Sequence, residues 1–132
     1  MSQENVEIVK RLFAAVARGD VEAAIAGATP DGVIDASRRI LGGGTYSGHQ
    51  GIRDYFAMLA ETWSDVRTEA EDFIDAGDSV VVPIRIVNTG RSSRLSVNAR
   101  AAWIAQIHEG KVARMTVYQS RNEALEAVGL SE

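Results

Sequence analysis

The chain has 132 residues, no cysteine and a formal net charge of −4, with 45% hydrophobic and 24% charged residues. That is one soluble domain, residues 1–132, large enough to bury a core without staples. Disulfides, thiol nucleophiles and thiolate metal sites are excluded, the acidic balance argues against nucleic acid or an anionic membrane as partner, and no apolar run approaches the roughly 20 residues that span a bilayer. The start, Met1-Ser2-Gln3-Glu4-Asn5, lacks the basic and apolar stretches of a signal peptide, so a cytoplasmic location is expected.

Val6, Val9, Leu12, Phe13 and Val16 recur at helical spacing and predict an amphipathic first helix, closed by Gly19. Asp20 caps a second helix carrying Val21, Ala24, Ile25 and Ala28, which stops at Thr29-Pro30 because the residue before proline disfavours helix. Val33 to Ser37 reads as a short strand. Arg38 to Tyr46, with Gly42-Gly43-Gly44 inside it, reads as a mobile loop. Ser47-Gly48-His49-Gln50 has capping-box form and starts a helix with Ile52, Phe56, Leu59 and Trp63 on one stripe.

Strands joined by turns follow. Val66 to Ile74 alternates weakly, with a bulge expected at Asp72-Phe73-Ile74. Ser79 to Asn88 is β-branched, and Pro83 inside it predicts an edge or bulged position. Arg94 to Ile107 alternates cleanly: Val97, Ala99, Ala101, Trp103, Ala105 and Ile107 face one way, while Ser96, Asn98, Arg100 and Gln106 face the other with Ala102 and Ile104 among them. A turn at His108-Glu109-Gly110-Lys111 leads to Val112–Tyr118, and Ser120 to Glu123 is a second capping-box signal before a last short helix ending near Gly129. Helices followed by an antiparallel meander predict an α+β domain, with the helices on one face of a curved sheet and a hollow kept open by small residues such as Ala99, Ala101 and Ala105. The apolar interruptions of the polar face, Ala102 and Ile104, predict a two-fold homodimer through that surface.

With these residues in place, the chain resembles the NTF2-like superfamily, in its SnoaL-like (polyketide-cyclase-like) and ketosteroid-isomerase-like branch. The resemblance is carried by Phe13 to Asp20, Pro30-Asp31 to Asp35, Tyr46-Ser47-Gly48 through Phe56, Phe73 to Val82, and Trp103 through Tyr118. It implies a cone-shaped fold with a small-molecule pocket. The position of Asp35 corresponds to the family's general-base aspartate. The steroid isomerases' tyrosine on the first helix falls on Leu12, and their acidic residue on the penultimate strand near Ala101 or Ala102. Neither leucine nor alanine donates a hydrogen bond to an enolate, so the resemblance does not imply steroid isomerisation itself.

Asp35 is the one candidate chemical group, with two readings: it lies desolvated in an apolar pocket with a raised pKa and Ser37, Tyr46 or Tyr118 as its polar partner, or it caps or orders the glycine loop and faces water. The expected pocket wall is Leu12, Val16, Phe56 and Leu59 from the helices, with Tyr46, Ala99, Ala101, Trp103 and Tyr118. His49 and His108 read as surface groups. No residue spacing suits a metal, no cofactor is implied, and the glycines read as a lid over the pocket, since no lysine follows as in a phosphate loop. Arg38 and Arg39 at its base are expected in solvent. Three functions fit: a cofactor-independent isomerase or cyclase of an apolar carbonyl compound with Asp35 as base, a binding module for a hydrophobic small molecule, or a dimerising accessory domain.

Overall fold

The computed structural model describes residues 2–38, 43–91 and 96–130. Of the loop expected over Arg38 to Tyr46, residues 39–42, with Arg39 and Gly42, lie outside the described residues, as do the turn residues 92–95; Thr45 and Tyr46 belong to a short strand instead. Helix α1 (Ser2–Ala17) lays Val6, Val9 and Ala15 into the core, and Gly19, at φ +75, closes it. Helix α2 (Val21–Ala26) is capped as expected: the Asp20 carboxylate accepts from the Ala23 N–H at 3.0 Å. It ends before Ala28, which instead opens strand β1 (Ala28–Asp35). Pro30 is tolerated there because β1's pairing to its neighbour lapses between Ala28 and Val33.

Strand β2 (Thr45–Ser47) leads into helix α3 (Gly48–Thr62). The expected capping box does not form at its start. Gly48 enters the helix at φ +74, the Ser47 side chain makes no capping bond, and Gln50 bonds Asp54 at 3.0 Å. Nor does the stripe end on Trp63, which already begins strand β3 (Trp63–Ala70); Ile52 and Tyr55 are the buried members. Strands β4 (Ile74–Ala76), β5 (Ser79–Gly90), β6 (Ser96–His108) and β7 (Lys111–Tyr118) precede helix α4 (Arg121–Ala127). The Ser120 hydroxyl caps α4, accepting from the Glu123 N–H at 3.1 Å.

The sheet runs β2-β1-β7-β6-β5-β3, with β4 also on β5 and only β1–β7 parallel. Pro83 sits on a central strand, paired to Ala102 of β6. On its other side β3 ends at Ile84 and β4 begins at Val81, so the strand is locally an edge where the proline lacks its N–H. Register shifts in β1–β7, β3–β5 and β6–β7 supply the extra twist and bend that curl a sheet around a helix layer.

Parity then divides the sheet. Val82, Ile84, Trp103, Ala105 and Val117 join α1 and α3 in the main core on the concave face. Ala102, Ile104 and Val81 form a second cluster with Ala124 and Leu125 of α4 on the outer face. This corrects the basis of the homodimer expectation. Ala102 and Ile104 are 0% and 4% exposed, covered by the chain's own last helix rather than left for a partner.

Candidate functional site

Between the three N-terminal helices and the concave face lies a cavity of about 510 Å³. Its walls are mainly apolar. Leu12, Phe13 and Val16 come from α1, Phe56 and Leu59 from α3, and Trp103 from the middle of β6. On its free side β3 contributes the consecutive residues Val66, Arg67, Thr68 and Glu69. Alternate residues of a strand face opposite ways, so a run of four means that the cavity reaches the edge of this strand. At the other end of the sheet Gly32, Val33, Val112 and Arg114 border it, beside the stretch where β1–β7 pairing lapses.

Of the residues expected in the wall, Leu12, Val16, Phe56, Leu59 and Trp103 are there. Four are not. Tyr46 lies on edge strand β2 and packs its ring against Tyr55, one layer behind the wall, with centroids 5.3 Å apart. Ala99 and Ala101 share Trp103's parity, but Ala99 is exposed and Ala101 packs on the core without bordering the cavity. Tyr118 takes the other parity, joins the outer cluster, and carries the Arg38 guanidinium 4.4 Å over its ring.

Asp35 also stands off the cavity wall. Ile34 pairs with Met115, and both pack on the concave core; Asp35, one residue on, pairs with Thr116. Thr116 is in turn opposite Ile104, whose side chain belongs to the outer cluster. Parity therefore turns Asp35 outward. Its side chain is 14% exposed, yet it is not surrounded by apolar atoms. The Ser37 hydroxyl donates to it at 2.6 Å, the Ser37 N–H at 3.1 Å, and the Arg114 guanidinium at 2.8 Å. These donors favour the charged form. The Ser37 bonds chiefly, then Arg114, hold the carboxyl below the usual aspartate range against the opposing effect of partial burial. The raised pKa of the pocket reading is thus reversed, because hydrogen bonding outweighs desolvation, and the Ser37 bonds fit the reading in which Asp35 orders the start of the loop that follows it.

Of the expected partners only Ser37 reaches Asp35; Arg114 is the residue that sequence reasoning missed. Its side chain is 40% exposed and it borders the cavity while bonding Asp35. The signal for it is a lone arginine within the apolar run Val112–Val117, but only the β1–β7 pairing brings it to the aspartate. On the helical side, Arg53 of α3 makes a two-pronged bond to Glu22 of α2 at 3.0 and 2.9 Å, tying together two elements of the wall. That pair lowers the Glu22 pKa and raises that of Arg53. His49 lies 3.4 Å from the Ala28 carbonyl and is part-buried, while His108 is exposed. No grouping of three or more potential metal ligands occurs among the described residues, and no helix there is long and apolar enough to cross a membrane.

With this geometry the comparisons with known proteins agree. The model of the SnoaL-like domain matches residues 9–115, and the chain belongs to that family. No curated protein matches the sequence. Among solved structures, an NTF2-like protein of unknown function from Burkholderia pseudomallei is similar at 18% identity, covering 96% of this chain and 98% of its own, with a TM-score of 0.79. TerC, co-crystallised with polyporic acid, is 23% identical over 95% of this chain and 98% of its own, with a TM-score of 0.78. A protein with a ketosteroid isomerase-like fold from Catenulispora acidiphila, in complex with trimethylamine, is 20% identical over 94% and 93%, with a TM-score of 0.74. The fold is NTF2-like.

Proposed function

We propose that the chain holds an apolar small molecule, of the size of a polycyclic or aromatic carbonyl compound, in the cavity between its helices and sheet. The observation that carries this reading is the cavity itself: about 510 Å³, walled by Leu12, Val16, Phe56, Leu59 and Trp103, with few polar side chains. Mostly apolar pockets with a few placed polar groups are the usual form of small-molecule sites. Two fold neighbours carry small organic molecules in their crystals, which is consistent with a family use of such space.

Binding is the better-supported half of the proposal, and catalysis with Asp35 as general base is its second reading. What favours a chemical role is that Asp35 has polar partners of its own. What weighs against it is their effect: a carboxylate held below its usual pKa is a poor proton acceptor near neutrality. The test is a thermal-shift screen of steroids, polyketides and aromatic ketones, since a ligand that binds only the folded state raises the melting temperature. A hit that loses its shift in Trp103→Ala supports the cavity, and a screen in which no apolar compound shifts the transition removes the reading. For any hit that is also turned over, Asp35→Asn decides the chemistry: turnover lost with affinity kept supports the base, and turnover kept excludes it.

A further inference from the structure

The charged residues that border the cavity turn their charges away from it. On β3, Arg67 and Glu69 alternate with Val66 and Thr68. Glu69 lies opposite Arg85, which bonds Asn98 of the outer face at 3.1 Å, and Arg67 bonds Asp65 at 3.0 Å. On β7, Arg114 lies opposite Gln106, on the face of Thr116, and bonds the outward-turned Asp35. Thr68 takes the other parity. It pairs with Ile86, which packs on the concave core, so its side chain emerges on the cavity's side of the sheet. It is half-buried, and its hydroxyl has no hydrogen-bond partner among the described residues. Thr29 and Asn88 also carry unpartnered side-chain oxygens, but neither residue borders the cavity. Val66, on the face of Thr68 and 39% exposed, forms an apolar lip beside it at the edge of the sheet. An ion entering such surroundings loses its water and finds no counter-charge, whereas a neutral oxygen needs only one donor.

We propose that the cavity selects uncharged ligands, apolar in body with one carbonyl or hydroxyl oxygen, and that Thr68 at the β3 edge bonds this oxygen. This deepens the small-molecule reading and rests on it. The ligand's body lies against Phe56 and Trp103, and its oxygen stays at the edge strand, where Thr68 and Val66 meet the cavity. A threonine hydroxyl rotates and can either donate or accept, so it serves a ketone and an alcohol alike. Asp35 takes no part in this recognition, because its carboxylate is on the other face of the sheet.

Three environment-sensitive fluorophores titrated into the intact chain test this. N-phenyl-1-naphthylamine is neutral and has no oxygen, 1-anilinonaphthalene-8-sulfonate is the same body with an anionic group, and prodan is a neutral naphthyl ketone. If neither neutral probe binds, the small-molecule reading fails and this inference falls with it. Where they bind, the sulfonate should bind at least about tenfold more weakly than its neutral counterpart. Thr68→Val keeps the shape of the side chain and removes the hydroxyl. It should weaken prodan about three- to tenfold, the loss of one neutral hydrogen bond, and move the emission of bound prodan to shorter wavelength as the carbonyl loses its donor. Thr68→Ser should restore both readings, and N-phenyl-1-naphthylamine should stay within about twofold of wild type in both variants. Sulfonate binding as tight as that of the neutral probe overturns the selection against charge. Prodan binding and emission unchanged in Thr68→Val, or both neutral probes weakened alike, overturns the role of Thr68.

Discussion

Trp103→Ala is the sharpest test of where the cavity lies. The indole is 6% exposed, sits between Val82 of β5 and Val117 of β7, and presents another surface to the cavity. Truncating a buried tryptophan costs about 3–5 kcal/mol through lost transfer energy and the void left behind. Here the void opens into space that already exists. The part of the residue that borders the cavity faces open space, so the cost belongs at the lower end, about 3 kcal/mol. For a domain of this size that is a fall of roughly 10–15 °C in melting temperature. Urea unfolding followed by far-UV circular dichroism measures it without relying on the fluorophore being removed. Ile104→Ala is the control: it is 4% exposed in the outer cluster, should cost about 2–5 kcal/mol, and should leave the affinity for the neutral fluorophore N-phenyl-1-naphthylamine as in wild type, whereas Trp103→Ala should weaken it. A Trp103→Ala cost below about 1 kcal/mol, or equal probe binding in the two variants, would refute the placement of the cavity against β6.

The two serine caps should separate: Ser120→Ala should cost about 0.5–2 kcal/mol because its oxygen accepts from the Glu123 N–H, and Ser47→Ala almost nothing because no such bond exists. Equal costs in urea titrations would contradict the helix-entry geometry. Asn88, buried in β5 at 8% exposure, has a side-chain oxygen with no partner among the described residues, so Asn88→Val should raise the urea midpoint rather than lower it. On acidification, Asp35 contributes stability that is present above its unfolded pKa near 3.9, since its folded pKa is the lower one, and that is lost as pH falls through the folded value. The stability gap between wild type and Asp35→Asn should therefore be fully open above about pH 5 and close as the pH drops below about 4; a gap that widens there has the wrong sign.

Much of this architecture is legible in the sequence because it depends on local rules. The alternation through Trp103 and Ala105 reports the concave face directly, since strand parity needs no knowledge of the neighbours. Gly19, Asp20 and Ser120 mark helix boundaries through backbone conformation and side-chain reach, which are local as well. What was not legible depends on pairing between distant segments. Pro83 lies on a central strand because β3 and β4 divide its far side between them. Ala102 and Ile104 look like an exposed apolar seam until α4 is known to fold back over them. The site fails to show for the same reason. Leu12, Val16 and Phe56 follow from helix stripes, but Asp35's direction is set by a parallel pairing to a strand some eighty residues later, and Arg114's by a register shift at the end of β6.

That long-range pairing also inverts the meaning of the aspartate. A carboxylate in an apolar pocket gains basicity because the charged form is poorly solvated. The same carboxylate facing Ser37 and Arg114 is solvated by the protein and loses basicity. The pair then works in the other direction. A partly buried Asp–Arg pair is costly to break, because removing either member leaves the other uncompensated. The pair therefore fastens β1 to β7 whether or not the cavity is filled. The aspartate thus serves the joint between two strands, and the cavity behind them keeps its mainly apolar wall.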